Sequence, residues 1–241
     1  MNEKIQQLKN EIERSDNIVF LGGAGVSTES GIPDFRSPKG LYQQHKFDYP
    51  AETILSNTFF RTHTEEFYEY YKTCMIYPNA APNKAHKALA TLEKRGKLKG
   101  IITQNIDGLH QAAGSKNVYE LHGTVLDNYC TKCGEYHPLS HIINSDGIPQ
   151  CQKCQEIVKP DVVLYEEALN EKVIQASVEL IANAEILIIG GTSLTVFPAA
   201  ALYTYYRGKC LCIINKTSTS ADEFADIVIH DSIGDVLEQV L

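Results

Sequence analysis

The sequence lacks any apolar run that approaches the roughly 20 residues needed to span a lipid bilayer. Its long apolar runs, such as Ile186–Ile189 and Leu211–Ile214, have the length of buried strands. The N-terminal segment MNEKIQQLKNEIER carries no apolar core of the kind that marks a secretory signal. We therefore expect a cytoplasmic protein with no membrane partner.

The sequence also lacks an excess of positive charge. It has 22 Lys and Arg against 30 Asp and Glu, a formal net charge of −8. Because proteins that track nucleic-acid phosphates normally present a basic face, we expect no direct binding to nucleic acid. Glycine, proline and charged residues are all at ordinary levels, and no internal repeat or low-complexity linker is present, which excludes disordered, collagenous and coiled-coil chains. The length fits one large domain, or one domain with a smaller insert.

Strands alternate with helices along most of the chain. The apolar runs at 17–22 and 185–190 end in glycines and are typical of buried strands, whereas Ile5, Leu8 and Ile12 recur at helical spacing. Further helices are predicted near 63–75, 82–95, 173–181, after Pro198 and at 233–240, and further strands at 100–103, 118–121, 209–215 and 226–229. Continuously apolar strands separated by helices predict a doubly wound α/β domain with a parallel sheet.

Two segments interrupt this alternation. Residues 37–80 are irregular and rich in aromatic side chains, and residues 130–154 are polar and rich in cysteine. Four of the seven cysteines form Cys130-x-x-Cys133 and, 17 residues later, Cys151-x-x-Cys154. This spacing is typical of zinc ribbons, and four thiolates leave no open coordination position, so we predict one structural zinc. Unligated thiols in a polar loop are the alternative, which the doubled spacing disfavours.

Two glycine turns follow predicted strands. The first, at 22–27, has a bare backbone that can approach a pyrophosphate. It is a weak signal by itself, because Thr28 stands where the third glycine of G-x-G-x-x-G would be, and a simple strand-to-helix turn is equally compatible. The second turn, at 190–193, follows another strand. Two such turns at the carboxyl ends of strands favour a crevice that binds a dinucleotide.

Polar residues follow two other strands. The segment 103–110, TQNIDGLH, starts where open α/β sheets bind ligands, although its Asn and Asp could also serve as helix caps. His122 ends an apolar run and precedes Gly123, next to the cysteine-rich segment. A lone histidine is more often structural, but this position suits a cleft between two domains, where histidine is the usual general base.

Five features taken together resemble the sirtuin family of NAD-dependent protein deacylases, and in particular bacterial sirtuins of minimal length. They are GAGVSTESGIPDFRS (23–37), TQNIDGLH (103–110), ELHG (120–123), the two C-x-x-C pairs and GTSLTVFPA (191–199). The resemblance extends over essentially the whole chain. It implies a Rossmann-type NAD-binding domain formed by 1–36, 81–122 and 160–241, a cofactor loop and helical module at 37–80, and a zinc-binding module at 123–159.

The resemblance also implies a reaction and a set of catalytic residues. An acyl-lysine protein or peptide and NAD meet in the cleft between the domains, and the acyl group passes from lysine to ADP-ribose, with release of nicotinamide and 2′-O-acyl-ADP-ribose. His122 is then the base for a ribose hydroxyl, Asn105 orders the ribose and a water, and Asp107 reads the nicotinamide carboxamide. A monomer is expected, since the family is often monomeric.

Further residues are assigned to binding by the same resemblance. Phe35 covers the sugar after nicotinamide leaves, and the segment from Val162 through Val163 and Leu164 to Tyr165 pairs with the substrate peptide. The NAD-binding set comprises Gly23, Ala24, Gly25, Thr28, Phe35, Arg36, Gln104, Asn105, Ile106, Asp107, His122, Gly191, Thr192, Ser193, Asn215 and Ile233. The predicted metal ligands are Cys130, Cys133, Cys151 and Cys154.

The chain departs from the family pattern at two places and lacks a motif of one branch of the family. Gly22 replaces the common threonine before GAG, and Tyr165-Glu166-Glu167 replaces the common Phe-Gly-Glu, which leaves peptide preference open. The Tyr-x-x-Arg pair of desuccinylases is missing from 65–75, where Lys72 is the only basic residue, so acetyl or another uncharged acyl group is favoured.

Several alternative functions are compatible with parts of the sequence. An ADP-ribosyltransferase or NAD glycohydrolase could use the same scaffold, but the presence of both His122 and Asn105 argues against it. A deacylase that prefers longer acyl groups, a binding module without catalysis and a hydride-transfer dehydrogenase are the others. A binding module would not need a histidine at 122, and a dehydrogenase would change the absorbance of the nicotinamide.

Overall fold

The computed structural model describes residues 3–38, 40–43 and 47–241. The strands are β1 (Ile18–Gly22), β2 (Leu98–Thr103), β3 (Val118–Glu120), β4 (Gly123–Cys130), β5 (Tyr136–Pro138), β6 (Val158–Val162), β7 (Ile186–Gly190), β8 (Cys210–Ile214) and β9 (Ile227–Ile229). The helices are α1 (Glu3–Arg14), α2 (Ala51–Ile54), α3 (Asn57–Thr62), α4 (Thr64–Cys74), α5 (Lys84–Lys94), α6 (Leu109–Ala112), α7 (Leu139–Asn144), α8 (Glu171–Asn183) and α9 (Ile233–Gln239). None of the helices in the described ranges is long and apolar enough to cross a membrane.

Six strands form one parallel sheet in the order β3-β2-β1-β7-β8-β9. The chain winds outward from β1 in one direction and from β7 in the other, so the predicted doubly wound α/β fold is confirmed. Ligands bind at the switch between two such halves, outside the carboxyl ends of the strands. Here Gly22 and Gly190, the last residues of β1 and β7, are register partners. The two glycine turns therefore leave the sheet side by side.

Successive residues of the central strands enter two different cores, as the alternation of side chains along a strand requires. Ile18 and Phe20 pack with apolar residues of α1, α5 and α9. Val19 and Leu21 pack on the other side, with α8 and the 3-10 helix at 199–205. The sheet is thus buried on both faces, which explains why its strands are apolar throughout. The helix predicted after Pro198 is a 3-10 helix, with Ala201 N–H donating to the carbonyl of Pro198.

A second sheet is antiparallel, in the order β5-β4-β6, and shares a third core with the helical module. Phe67 and Tyr71 of α4 belong to the same buried cluster as Val125 and Val158 of this sheet. The two modules are therefore packed as one body. The division of the chain at 36, 80, 122 and 159 stays a prediction, and β6 runs across the last of these boundaries. Residues 39 and 44–46 of the predicted 37–80 module lie outside the described part.

Candidate active site

The two glycine turns, the 103–110 segment and His122 open into one cleft. It has a volume of about 1600 Å³ and separates the carboxyl edge of the parallel sheet from the core shared by the helical and cysteine-rich modules. Single ligand pockets are usually roughly 300–1,000 Å³, so this cleft has room for two substrates at once. The predicted site residues that line it are Ala24, Gly25, Thr28, Phe35, Arg36, Gln104, Asn105, Ile106, Asp107, His122, Val162, Val163, Leu164, Tyr165, Gly191, Thr192, Ser193, Asn215 and Ile233.

The two glycine turns interlock at close range. The amide of Gly25 donates to the carbonyl of Gly191 at 2.8 Å, and a Cβ on Gly25 would lie 2.8 Å from the Cα of Gly191. Gly23 is buried beneath the loop, where a Cβ would approach Thr192 to 2.9 Å. The glycines are therefore required by contact between the loops. Gly25 and Gly191 line the cleft with bare backbone, which suits a dinucleotide phosphate, although a direct contact by Gly23 stays a prediction.

A chain of hydrogen bonds joins the first glycine turn to the polar segment after β2. The side-chain amide of Asn105 donates to the hydroxyl of Ser27 at 3.0 Å, and that hydroxyl donates to the Asp107 carboxylate at 2.6 Å. The other Asp107 oxygen accepts from the amide of Leu109 at 2.9 Å, at the start of α6. Sequence analysis did not assign a role to Ser27. Ser27 belongs to the GAGVS motif, but its partner Asp107 is 80 residues away in the sequence, so the motif alone did not indicate the contact.

The imidazole of His122 is oriented by one hydrogen bond. Its Nδ1 lies 3.0 Å from the carbonyl oxygen of Gln104. Because a carbonyl can only accept, Nδ1 carries the proton and Nε2 of the neutral ring keeps a free lone pair. Burial lowers the pKa of His122, and the bond to Gln104 opposes this only in part. The ring is therefore a neutral base near pH 7.

Gly123 places His122 against the predicted substrate segment. Its φ is +74°, and a Cβ there would lie 1.9 Å from the carbonyl oxygen of Asp161, so another residue would not fit. This close approach starts the pairing of β4 with β6, at Gly123 and Val162. The amide of Val163 then donates to the carbonyl of His122 at 2.9 Å. Peptide pairing by Val162–Tyr165 stays a prediction.

Glu166 and Glu167 attach the end of this segment to the N-terminus of α3. Glu166 has a φ of +75°, a conformation that favours glycine, and its carboxylate accepts from the amide and the hydroxyl of Thr58 at 2.8 and 2.7 Å. Glu167 accepts from the side-chain amide of Asn57 at 2.5 Å and pairs with Lys159 at 3.1 Å. Negative charge at a helix N-terminus is favourable. This contact explains how a glutamate is accommodated where the family commonly has glycine.

The end of the cleft where adenosine is predicted to bind is held together by Glu29, a residue to which sequence analysis assigned no role. The Glu29 carboxylate accepts from the Ser232 hydroxyl at 2.5 Å and from the Gly234 amide at 3.3 Å, which links the short 3-10 helix after the first glycine turn to the start of α9. Ile233 lies between these two bonds and lines the cleft. Asn215 follows β8, and its side-chain amide donates to the carbonyl of Thr217 at 2.8 Å.

The four predicted metal ligands lie together at the end of the small sheet. All four Sγ atoms are within 4.8 Å of one another, and three of the Sγ–Sγ distances are 3.4, 3.5 and 3.6 Å. Ligands held at about 2.3 Å in a tetrahedron would be separated by roughly 3.8 Å, so the set fits zinc. Amides of Lys132 and Lys153 each point at a cysteine sulfur at 3.4 Å. The cluster joins two turns of the small sheet.

Comparison with known proteins gives consistent results. The model of the Sir2 family matches residues 23–198. An NAD-dependent protein deacetylase of Clostridium acetobutylicum is 58% identical over 241 residues, which cover 99% of this chain and 98% of that protein. A solved Sir2 structure with a p53 peptide and NAD+ is 36% identical, with a TM-score of 0.86 over 98% of this chain and 96% of that one. Another, with an inhibitor, 2′-O-acetyl-ADP-ribose and a deacetylated p53 peptide, is 35% identical, with a TM-score of 0.85 over the same shares.

Proposed function

This chain belongs to the Sir2 family, and on that premise we propose that it is an NAD-dependent protein-lysine deacetylase. It transfers the acetyl group from a lysine side chain to ADP-ribose, with NAD as co-substrate and nicotinamide and 2′-O-acetyl-ADP-ribose as products. The observation that carries this proposal is the position of His122. Its carbonyl holds the predicted peptide segment, and its side chain lies in the same cleft as both glycine turns.

His122 acts as the general base. With Nδ1 held by Gln104, Nε2 accepts the proton of a ribose hydroxyl, which then attacks the acyl carbon. Burial keeps the ring neutral, so the base is ready at physiological pH without prior loss of a proton. Donation by Nδ1 to a carbonyl also stabilises the imidazolium that forms, because that bond strengthens when the ring becomes charged.

Ser27, Asn105 and Asp107 form the polar wall of the nicotinamide end. Their hydrogen bonds hold the Asn105 amide and the Asp107 carboxylate in one orientation relative to each other. Asp107 can then accept from a carboxamide, and Asn105 can order a ribose hydroxyl or a water. Such preorganisation matters because the groups need not rearrange during the reaction.

Phe35 and Ile106 provide the apolar wall. Both are partly buried, line the cleft and pack against the third core. NAD supplies an electrophilic ribose carbon when nicotinamide departs. An apolar surface over that carbon excludes water and favours attack by the acyl oxygen over hydrolysis.

The contacts of Lys72 support an uncharged acyl group. Its ammonium donates to the carbonyls of Ser145 and Gly147 at 2.8 and 2.7 Å and to the Ser145 hydroxyl at 2.9 Å. Three acceptors thus engage this cation, which lies on α4 and does not line the cleft. It is not available to pair with the carboxylate of a succinyl group.

Zinc has a structural role in this proposal, held by Cys130, Cys133, Cys151 and Cys154. Four thiolates complete a tetrahedral shell, so the ion stabilises the small sheet and takes no part in the reaction.

We further propose that the protein acts in the cytoplasm as a monomer, without direct contact with nucleic acid or membranes. The net charge of −8 supports the absence of a nucleic-acid partner.

Mass spectrometry of an acetyl-lysine peptide incubated with and without NAD tests this function. We expect deacetylated peptide and O-acetyl-ADP-ribose only when NAD is present. Consumption of NAD with the peptide still acetylated would replace the proposal with transferase or glycohydrolase chemistry. If the protein removed longer acyl groups from lysine much faster than it removed acetyl, the proposed substrate would be wrong and a longer acyl-lysine would replace it.

A further inference from the structure

We propose that the hydrogen-bonded hydroxyls of Tyr42 and Tyr165 couple the peptide site to the NAD site. In this proposal, a peptide bound along Val162–Tyr165 fixes Tyr165, which then holds the loop carrying Phe35 and Arg36 over the nicotinamide ribose. The inference rests on the proposed function and deepens it. Tyr42 and Tyr165 are positioning residues, since they act through other groups.

The two hydroxyl oxygens are 2.7 Å apart, across the cleft from one segment to another. Tyr165 ends the predicted peptide segment and is 39% exposed, whereas Tyr42 is partly buried on the loop that follows Phe35. Both residues line the cleft. The bond therefore joins the wall that would hold the peptide to the wall that would cover the cofactor.

Tyr42 is in direct contact with Phe35 and Arg36. Its amide donates to the carbonyl of Phe35 at 2.9 Å, and the two rings lie 5.4 Å apart. The guanidinium of Arg36 lies over the Tyr42 ring at 5.2 Å. A second main-chain bond joins the same two segments: the amide of Leu41 donates to the carbonyl of Asp34 at 2.8 Å. A restraint on the position of the Tyr42 hydroxyl therefore also restrains Phe35 and Arg36.

Tyr165 is anchored at its main chain. Its amide donates to the carbonyl of Leu55 at 2.9 Å, and its carbonyl accepts from the amide of Asn57 at 3.0 Å. Two residues earlier, Val163 is bonded to the carbonyl of His122. A peptide that adds to this segment would reduce its remaining freedom, and with it the freedom of the Tyr165 ring.

The family pattern commonly has phenylalanine where this chain has Tyr165. A phenylalanine would keep the ring and lose the bond. A hydrogen bond between neutral hydroxyls changes an equilibrium by about two- to tenfold. Burial and the contact with Tyr165 raise the pKa of Tyr42, so its phenol is neutral at pH 7.

The test uses ADP-ribose as an unreactive probe, with its affinity measured by calorimetry at zero and at saturating acetyl-lysine peptide. In the wild-type protein we expect the peptide to tighten ADP-ribose binding. Tyr165→Phe and Tyr42→Phe should each reduce this coupling by about two- to tenfold, and the double variant should show no further loss. Tyr205→Phe, on a half-exposed tyrosine that does not line the cleft, is the matched control and should keep the full coupling.

Coupling that is absent in the wild type, unchanged in both single variants, or lost additively in the double variant would overturn the proposal. Because coupling between two sites is reciprocal, a second readout is available: ADP-ribose should tighten peptide binding in the wild type, and each single variant should reduce that tightening by the same factor. Because ADP-ribose binding needs no turnover, the coupling can fail while deacetylation is present. The deacetylase assay can likewise fail while the coupling is present.

Discussion

The ring of Phe20 occupies the space in which a side chain on Gly22 would begin. A Cβ on Gly22 would lie 2.6 Å from Cε1 of Phe20 and 3.2 Å from a methyl carbon of Val26. Phe20 is completely buried in the core beneath α1, α5 and α9, so it has little room to move. Phe20 therefore leaves no space for a side chain at position 22, where this chain has glycine and the family commonly has threonine.

This relationship predicts the outcome of restoring threonine. Gly22→Thr should lower the free energy of unfolding by about 1–3 kcal/mol, the usual cost of overpacking a core. Phe20→Val should also destabilise, by leaving a cavity. The double variant should lose less stability than the sum of the two single losses, because the threonine side chain would occupy the cavity left by the shorter valine. Urea unfolding of all four proteins measures the difference, and simple additivity would contradict the packing argument.

Replacement of His122 should separate two activities. In His122→Ala we expect deacetylation to fall by about 10²- to 10⁴-fold, the usual contribution of a general base. Exchange of labelled nicotinamide into NAD should fall less, because proton removal follows cleavage of the nicotinamide bond. His141→Ala, which changes a histidine outside the cleft, is the control and should retain both activities. An equal loss of both activities in His122→Ala would remove His122 from the role of base.

Removal of one metal ligand should loosen the small sheet. Cys130 and Cys210 are each 4% exposed, but only Cys130 belongs to the four-sulfur cluster. Cys130→Ala should abolish bound zinc and lower the melting temperature strongly, because structural zinc supplies folding free energy. Cys210→Ala should keep one zinc per chain and lose only the small contribution of a buried sulfur. Elemental analysis and thermal unfolding decide the matter, and a stable, zinc-loaded Cys130→Ala protein would refute the assignment.

A buried pair of histidines should make stability depend on pH. The rings of His86 and His110 lie 4.7 Å apart and are 0% and 1% exposed. Burial lowers the pKa of His86 to about 4, opposed by the charges of Asp107 and Glu29. Burial lowers the pKa of His110 to about 3, assisted by His86. Both rings are therefore neutral in the folded protein throughout the range in which unfolded histidine, with a pKa of about 6.5, takes up a proton.

The sign of the effect follows from proton counting. Below pH 6.5 these two histidines bind more protons in the unfolded chain than in the folded one, so their contribution to stability falls as the pH drops, by up to about 1.4 kcal/mol per pH unit for each ring. Burial raises the pKa of Glu120 to about 7, and this single carboxyl acts with the opposite sign over the same range. Urea unfolding at pH 7, 6 and 5 should show this loss. In His110→Asn, the free energy of unfolding should fall less steeply between pH 6.5 and 5 than in the wild type. An unchanged slope in His110→Asn would show that its ring is not held neutral.

Local patterns in the sequence predicted most of the secondary structure. The helix at 3–14 and the strands after Asn17 and before Gly190 are confirmed, because apolar periodicity reports directly on which residues face a core. The four cysteines were found from spacing, since the two C-x-x-C turns are themselves local. The association of the helical module with the small sheet was not predicted. It depends on contacts such as that between the Tyr68 hydroxyl and the Val158 carbonyl, 90 residues apart.

By itself, the sequence determined the doubly wound sheet, the two glycine turns at its carboxyl edge, the cysteine cluster and the position of His122 in the chain. Each of these depends on spacing within a short segment. Only the tertiary structure decided which polar groups meet. Ser27 reaches Asp107, and Tyr42 reaches Tyr165, because strand order and the packing of modules bring distant segments within hydrogen-bonding distance. Side-chain contacts of this kind leave no periodic signal in the sequence, since each partner is compatible with many others until the fold selects one.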